Sequence, residues 1–567
     1  MRIAPTDFFS FRTVAGLAGF GALLALVYVT NIVFFAHRVE FLIKHGKWII
    51  LSIFLGIWVF SVLAMVIAAI QPNWFVRLFW ALVIAVSTSA SRAFFVASGA
   101  EMSPYDFVSL WTARHEVDRA LEFYQNAGIS AAAWLLLTVL VFAVPPVFRS
   151  PILRRYISRL MWVPAVPIII VAAIMLTRNG SGYDGMPSQI QPLAIGLAVS
   201  VKSLTHETPE RMPMTWQPVA KPAIRNIVVL IDESIRPDYI DWLPGNPYTP
   251  AMAGHKDRFT DFGQAAAGAN CSAKANALLR LGATWADPVT SVQTNPSIWQ
   301  YAKAAGYRTV YIDGQSGFIK SGKKIQNYMT FTEIKDIDGF YTFDDTPAPD
   351  LDFELLDIVN RELSGDTPVF IYANKNGAHF PYDAGYPADE SVFVPTMAMT
   401  AEPTPVERIN SYHNIVRWSV DKFFDKLFDQ TDLSDTLVVY TSDHGQALNG
   451  GFTHCTTQDP DPRQGLVPLY VLTEEPDLLR RFSAAARLNH NRATHFAITP
   501  TLLDLMGYSA ANIKATYGPS LFEPQQESPY FISKSLFGMF GIDDFRNPID
   551  LNADYLEENA FPEPAKD

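Results

Sequence analysis

The chain has 567 residues, of which 49% are hydrophobic and 18% are charged, and its formal net charge is −12. This acidic balance excludes a nucleic-acid-binding protein, because neutralising phosphates requires clustered Lys and Arg. Apolar residues dominate positions 1–176, whereas the remainder has the composition of an ordinary soluble domain. The sequence therefore predicts a membrane part followed by a soluble part.

Five apolar stretches in the first part are long enough to cross a membrane, which takes roughly 20 residues. They are 14–36, 48–70, 74–96, 129–148 and 160–176. Five such runs leave no polar face for solvent, which argues against buried helices of a soluble protein. We predict an α-helical transmembrane domain with five spans over residues 1–176.

Basic residues in short loops predict how these spans are oriented. The loop between the fourth and fifth spans carries four arginines and no acidic residue, which indicates a cytoplasmic loop. The loop between the third and fourth spans is rich in acidic residues and is predicted to face outward. The first loop, with Arg38, Lys44 and Lys47, does not follow this rule. An odd number of spans then exports the C-terminal part, which in a bacterium places it in the periplasm.

The third-to-fourth loop, about 97–128, interleaves aromatic and aliphatic residues with charges. This pattern is typical of amphipathic helices lying on the outer membrane surface. An ordinary connecting helix packed on the spans would give the same pattern, and the sequence does not choose between them.

Residues 177–222 mix Gly, Ser, Pro and charges without a sustained period, which predicts a linker with one short helix. From position 223 the pattern becomes that of an α/β domain. It begins with the largely β-branched run 226–231, and the similar predicted strands 308–313, 368–373, 436–441 and 467–473 alternate with helical stretches. Such alternation predicts a mostly parallel sheet over 223–567, with ligand sites at the carboxyl ends of the strands.

Residues able to bind a metal follow these strands or lie in nearby turns. They are Asp232, Glu233, His379, Asp443, His444 and His454. An Asp-His-Gly sequence directly after a buried strand is the strongest of these signals, because it offers oxygen and nitrogen to one divalent cation such as Zn²⁺. Ser272 opens a helix, where a serine is either an N-cap or a nucleophile. Beside a metal set, the nucleophile is the favoured interpretation.

These motifs, in this order, resemble those of the phosphoethanolamine transferases of the alkaline phosphatase/sulfatase superfamily. The similarity covers Glu233-Ser234-Ile235-Arg236, the Cys271-Ser272 turn, Gly377-Ala378-His379, and Ser442-Asp443-His444-Gly445 with His454. The five spans with an amphipathic outer loop match the membrane part of that family. The resemblance therefore extends over nearly the whole chain and implies an alkaline phosphatase/sulfatase-like fold for the soluble domain.

The resemblance implies a role for each matching residue. Glu233, Asp443, His444 and the Ser272 oxygen would hold one tightly bound zinc ion, with Asp232 as a supplementary ligand. His379 and His454 would bind the donor phosphate or a second zinc and transfer protons. Apart from the resemblance, Lys274 lies two residues after Ser272, where it would steady phosphate charge or be a solvated helix residue.

The chain also departs from the pattern of that family. The usual nucleophile is a Thr preceded by Cys-Gly, whereas here Ser272 follows Cys271 directly, and Gln446 replaces the usual Glu. The several disulfides of the family are absent, since the chain has two cysteines. The chain is thus placed in a divergent branch. Cys271 also lacks the Pro and Arg of the motif that sulfatases convert to formylglycine.

Cys271 and Cys455 adjoin the two site residues Ser272 and His454. One hypothesis is that they lie close enough for a disulfide in an oxidising compartment. The other is that they are two separate buried thiols.

The resemblance implies a bacterial inner-membrane enzyme with a periplasmic catalytic domain. It would move phosphoethanolamine from a phospholipid, such as phosphatidylethanolamine, to an envelope glycolipid or glycan through a covalent Ser272 intermediate. Alternatives are a phosphoglycerol transferase or phosphodiesterase of the same superfamily and, in another class, a non-catalytic membrane-anchored binding protein.

Overall fold

The computed structural model describes residues 11–112, 125–143, 151–207, 209–315, 329, 331–343, 345–400, 403–449, 455, 460–540, 545–562 and 564. The chain divides into two compact units. The first is Met1–Glu207 with Met539–Ile542, and the second is Thr208–Gly538 with Asp543–Asp567.

The first unit is helical. Its helices are Phe11–Lys44, Trp48–Ala69, Trp74–Ser98, Pro104–Thr112, Gln125–Ala143, Pro151–Arg159, Ala165–Thr177 and Gln191–Thr205. Four of those described are long and apolar enough to cross a membrane, and Ala165–Thr177 is a shorter apolar helix at the position of the fifth predicted span. The prediction of an apolar helical N-terminal part is confirmed. The last helix falls within the predicted linker 177–222.

The predicted amphipathic loop contains the helix Pro104–Thr112, and residues 113–124 lie outside the described residues. Ser103 and Asp106 cap its first turn reciprocally, each side chain accepting from the other's backbone N–H. The Phe107 ring lies against Gly196, where an added Cβ would approach it to 3.1 Å. The described part of this loop therefore packs on another helix of the same unit.

The second unit is built on a seven-stranded sheet formed by β1 (Asn226–Asp232), β2 (Thr260–Ala266), β3 (Arg308–Asp313), β4 (Gly339–Thr342), β5 (Val369–Asn374), β6 (Thr436–Ser442) and β7 (Leu466–Leu472). The strand order in the sheet is β2-β7-β6-β1-β5-β3-β4. β1 pairs in parallel with β5 and β6, and β3 pairs in parallel with β4 and β5, while β7 runs antiparallel to β2 and β6. The predicted, mostly parallel α/β sheet is confirmed. A separate hairpin is formed by β8 (Tyr530–Ser533) and β9 (Phe545–Pro548).

Helices cover both faces of this sheet. Tyr440 of β6 packs on Phe424 on one face, and Tyr372 of β5 donates to the Asn276 side chain on the other. The α-helices of this unit are Pro250–Gly254, Ser272–Arg280, Pro288–Thr294, Ile298–Ala304, Phe331–Ile334, Leu351–Leu363, Pro405–Val416, Lys422–Gln430, Pro476–Leu488, Ile498–Leu505 and Ala510–Tyr517, and a π-helical turn, Arg417–Asp421, joins Pro405–Val416 to Lys422–Gln430.

The register of the central strands brings their carboxyl ends together. Asp232, the last residue of β1, is paired with Ser442, the last residue of β6, and Ile231 is paired with Asn374 at the end of β5. The residues that follow each strand therefore meet at one edge of the sheet, where ligand sites of such folds lie.

Candidate active site

Three of the predicted metal ligands converge at this edge. Glu233 follows β1, and Asp443 and His444 follow β6, so the parallel pairing of β1 and β6 makes them neighbours. All three are buried, and one ligand atom of each lies within 4.8 Å of the others. Residues separated by about two hundred positions thus form one cluster.

Ser272 lies at the same cluster. It begins the helix Ser272–Arg280, on the sheet face that carries Tyr372. Its hydroxyl donates to Glu233 Oε2 at 2.9 Å and lies 3.1 Å from His444 Nε2. The hydroxyl is therefore held between two candidate ligands, where a nucleophile would need to be.

Hydrogen bonds from neighbouring groups fix how the cluster side chains point. His444 Nδ1 lies 2.8 Å from the Gly445 carbonyl, which can accept a hydrogen bond from it, so Nε2 is the ring nitrogen that faces Glu233, at 3.4 Å. The Ser234 hydroxyl and the Gln315 side-chain amide each donate to the Glu233 carboxylate, at 2.7 and 2.9 Å. Such outer partners orient metal ligands and set the His tautomer.

The electrostatics of the cluster show an excess of negative charge. Burial, and then the Glu233 carboxylate, raise the pKa of Asp443 well above its ordinary value. Burial acts in the same direction on Glu233, yet His444 and then His379 hold the pKa of Glu233 well below its usual range. Burial disfavours the charged form of His444, but the two carboxylates raise its pKa to about 9. Two buried carboxylates that lie close together favour the binding of a cation between them.

One carboxylate oxygen of the cluster lacks a hydrogen-bond donor among the described residues, and His444 Nε2 lies 3.8 Å from it. Asp443 Oδ2 is buried and makes no hydrogen bond to any residue in the described part of the chain. Its Oδ1, in contrast, accepts from the backbone N–H groups of Ser234 and His444. A buried carboxylate oxygen without a donor is costly. The donor set of two carboxylates, one imidazole and one hydroxyl fits a divalent metal such as zinc.

Asp232, considered as a supplementary ligand, lies elsewhere. Its carboxylate forms a buried ion pair with Lys375 at 2.6 Å and accepts from the Tyr440 hydroxyl at 2.9 Å. Lys375 also donates to the Ser419 carbonyl and lies 4.1 Å from the centre of the Phe423 ring. Asp232 therefore neutralises a lysine on the sheet face opposite to Ser272.

Replacing Lys375 by methionine is expected to destabilise the protein by roughly 3–5 kcal/mol, because Asp232 would stay buried without a countercharge. Thermal unfolding of the full-length protein in detergent, followed by fluorescence, measures this. Lys426→Met is the matched control, because Lys426 pairs with Asp357 at the surface, where such pairs contribute about 0–1 kcal/mol. A Lys375→Met protein as stable as the control would contradict the structural role of the pair.

His379 is placed by a loop that lies directly on the end of β1. Gly377 has φ +49°, and a Cβ there would lie 2.1 Å from Asp232 Oδ1. The Ala378 N–H donates to the Glu233 carbonyl, and the Asp352 carboxylate accepts from the Gly377 N–H. Because Gly377 has no side chain, the loop can lie against the end of β1. This places His379 close enough to help lower the pKa of Glu233.

The disulfide hypothesis is confirmed, and the alternative of two free thiols is wrong. Cys271 and Cys455 are disulfide-bonded, with their Cα atoms 4.7 Å apart. The Cys455 N–H also donates to the Asn270 carbonyl. The bond fixes the residue that follows His454 beside the residue that precedes Ser272. His454 itself lies outside the described residues, so its role stays a prediction.

Lys274 is only 4% exposed, which excludes the solvated helix residue considered as its alternative. Two other site residues did not emerge from the sequence. Gln315 bridges the Glu233 carboxylate and the Lys375 carbonyl, and Lys375 pairs with Asp232. Their positions in the sequence could have identified them, because Gln315 follows β3 by two residues and Lys375 follows β5 directly.

Comparison with known proteins gives three findings. The chain is 27% identical over 153 residues to the Kdo(2)-lipid A phosphoethanolamine 7''-transferase of Salmonella typhimurium, a match that covers 25% of this chain and 27% of that protein. The structure superimposes with a TM-score of 0.61 on the integral membrane protein lipooligosaccharide phosphoethanolamine transferase A of Neisseria meningitidis. That match has 18% identity and covers 90% of this chain and 98% of the other.

The alignment thus spans about a quarter of the curated Salmonella relative, whereas the structural similarity extends over both the helical and the α/β units. The third finding is that the Sulfatase family matches residues 225–508, half of the chain and most of the α/β unit. This range includes Glu233, Ser272, Asp443 and His444. The chain belongs to the sulfatase family.

Proposed function

We propose that the protein is a zinc-dependent phosphoethanolamine transferase of the bacterial inner membrane. It takes phosphoethanolamine from a phospholipid, such as phosphatidylethanolamine, and delivers it to an envelope glycolipid or glycan. The group travels as a covalent adduct of Ser272. The catalytic domain, 223–567, faces the periplasm and is attached through 177–222 to the spans of 1–176.

One observation carries this proposal. The Ser272 hydroxyl lies within hydrogen-bond distance of both Glu233 and His444, beside an Asp443 oxygen that has no donor among the described residues. This arrangement combines a nucleophile with a cation site at the carboxyl edge of a parallel sheet. A non-catalytic binding protein would not require a nucleophile at this position.

The names of the two similar proteins support the group that is transferred. Both are phosphoethanolamine transferases, one acting on Kdo(2)-lipid A and the other on lipooligosaccharide. The disulfide between Cys271 and Cys455 supports a site outside the cytoplasm, because such bonds persist in oxidising compartments. The four arginines between the fourth and fifth spans support the same orientation.

The residues of the chain have distinct parts in the reaction. Glu233, Asp443 and His444 would hold the zinc ion, which when bound lowers the pKa of the Ser272 hydroxyl. With its proton lost, Ser272 Oγ attacks the donor phosphorus, and the bond from phosphorus to the diacylglycerol oxygen breaks. His379 or His454 protonates that leaving oxygen. An acceptor oxygen then attacks the same phosphorus, and the bond to Ser272 breaks.

Incubating the full-length protein in detergent with phosphatidylethanolamine labelled in its headgroup, with and without lipid A, tests the proposal. We expect labelled lipid A and unlabelled diacylglycerol, identified by mass spectrometry. Label released only as free phosphoethanolamine would identify a phosphodiesterase, and transfer from phosphatidylglycerol alone would identify a phosphoglycerol transferase. Either result contradicts the proposed transfer of phosphoethanolamine. Absence of turnover with all donors would favour the non-catalytic alternative.

A further inference from the structure

An open groove that encloses about 40 Å³ lies at one end of the helical unit. It is formed by the end of Phe11–Lys44, the start of Trp48–Ala69, the end of Ala165–Thr177 and the segment 182–186. Its floor is apolar and includes Leu42, Ile53, Ile57 and Ile174. Three charged residues complete its lining, namely Arg38, Arg178 and Asp184. We name it the charged-rim groove.

The segment that carries Asp184 is fixed to the surrounding helices. The Trp58 indole donates to the Gly185 carbonyl at 2.9 Å, and the buried Glu101 carboxylate accepts from the Gly185 N–H. Gly185 has φ +71°, and a Cβ there would lie 2.6 Å from Arg38 Cβ. The close approach holds Asp184 beside Arg38 rather than leaving it on a free loop.

The charges of the rim remain accessible. Arg38 and Asp184 are 3.6 Å apart, and their side chains are 25% and 35% exposed. Arg178 is exposed at the end of its helix. A ligand can therefore place an anion at the two arginines and a cation at Asp184 while its apolar part covers the floor. This charge pattern matches a zwitterionic headgroup better than an anionic one, which would offer no cation to Asp184.

The groove also gives a role to Arg38, which lines it and is one of three basic residues that depart from a sequence rule. Basic residues in short loops favour the cytoplasmic side, yet Arg38, Lys44 and Lys47 flank the first loop, which the proposed topology places outside. Residues that break such a rule are expected to serve a function there. A lipid phosphate at the outer surface of the membrane requires basic residues at this depth.

We infer that the charged-rim groove binds one glycerophospholipid with a phosphoethanolamine headgroup. Its phosphate contacts Arg38 and Arg178, its ammonium contacts Asp184, and an acyl chain lies on the apolar floor. As a donor-binding site this inference rests on the proposed function, although lipid binding itself can be measured without turnover. Recognition in the membrane unit would select the donor by headgroup and keep it in a fixed orientation.

Native mass spectrometry of the full-length protein in detergent, titrated with phosphatidylethanolamine, phosphatidylglycerol or diacylglycerol, tests the inference. We expect one phosphatidylethanolamine to bind about tenfold more tightly than phosphatidylglycerol, and diacylglycerol to bind least. Arg178→Gln should weaken phosphatidylethanolamine binding by about tenfold, because one charge-assisted contact is lost. Asp184→Asn should abolish the preference over phosphatidylglycerol. Arg155→Gln, an exposed arginine that does not line the groove, is the matched control.

Equal binding of the two phospholipids by the wild-type protein, or unchanged binding in the Arg178→Gln and Asp184→Asn variants, would overturn the inference. The Ser272→Ala variant should bind the lipid as the wild type does, since Ser272 does not line the groove. Selective lipid binding without any transfer would contradict only the proposed function. If Arg178→Gln and Asp184→Asn bound lipid and transferred the headgroup as the wild type does, only the inference about the groove would be contradicted.

Discussion

Replacing Ser272 by alanine is expected to reduce phosphoethanolamine transfer by at least about 10³-fold, because it removes the hydroxyl on which we propose that the covalent adduct forms. The fold should persist, since the Ser272 side chain is only partly buried and, among the described residues, its hydroxyl contacts Glu233 and His444 of the cluster. Transfer of labelled headgroup to lipid A measures the loss. Mass spectrometry of the wild-type protein, stopped in acid after exposure to the donor alone, should place one phosphoethanolamine on the peptide with Ser272.

The conservative variant Ser272→Thr provides the comparison. It retains a hydroxyl at the helix start and should keep measurable transfer and an adduct on residue 272, whereas Ser272→Ala should show neither. Both variants should unfold at the temperature of the wild type. Transfer by the alanine variant at the wild-type rate would show that another group, or direct attack by the acceptor, carries the reaction.

Replacing Asp443 by asparagine is expected to lower bound zinc and to reduce transfer by at least about a hundredfold, equivalent to roughly 3 kcal/mol of transition-state stabilisation. Asparagine keeps an oxygen for the Ser234 and His444 N–H groups but lacks the charge that the unpaired Oδ2 offers. Elemental analysis of purified protein measures the metal. Zinc at about 1,000 times its dissociation constant should stabilise the wild type by roughly 4 kcal/mol and the variant by much less.

After a chelator has removed the metal, the same variant tests whether the buried negative charge of Asp443 destabilises the folded protein. Because the folded-state pKa of Asp443 lies above its unfolded value, the folded protein binds more protons in that interval. Relative to metal-free Asp443→Asn, the metal-free wild-type protein should therefore lose stability as the pH rises above about 3.9, the ordinary pKa of an aspartate. Metal-free Asp443→Asn should lack this loss and be at least as stable at neutral pH.

Asp429→Asn is the control for this comparison, because Asp429 is exposed on the helix Lys422–Gln430. It should bind zinc and respond to pH as the wild type does. If zinc stabilised Asp443→Asn as strongly as the wild type, Asp443 would not be a ligand and the cluster would have to bind the cation differently.

Much of the fold could be predicted from local patterns. The run from Asn226 to Ile231 is apolar and largely β-branched, and it forms a strand buried along its whole length. The long apolar runs of the first part form helices because each residue can bury its side chain while its backbone bonds within the helix. These signals are strong because they repeat over many residues.

The candidate site was predicted in part. The Asp-His-Gly sequence after β6 pointed to Asp443 and His444, whereas the local pattern at the end of β1 did not distinguish Asp232 from Glu233, and only the family resemblance favoured Glu233. Successive residues of a strand point to opposite faces of the sheet, so adjacent carboxylates must have different partners. Glu233 faces the helix that begins at Ser272, whereas Asp232 faces Lys375 and the Ser419 carbonyl.

By itself, the sequence determined the division into an apolar helical part and an α/β part, the strands of the sheet and the residue types able to bind a metal, because each of these is recorded by neighbours along the chain. The tertiary structure alone decided which carboxylate meets Ser272, that Cys271 bonds to Cys455, and that Gln315 and Lys375 support the site. Those outcomes depend on strand order and on which helix covers which face of the sheet. Such relations join residues tens to hundreds of positions apart, and no local pattern contains them.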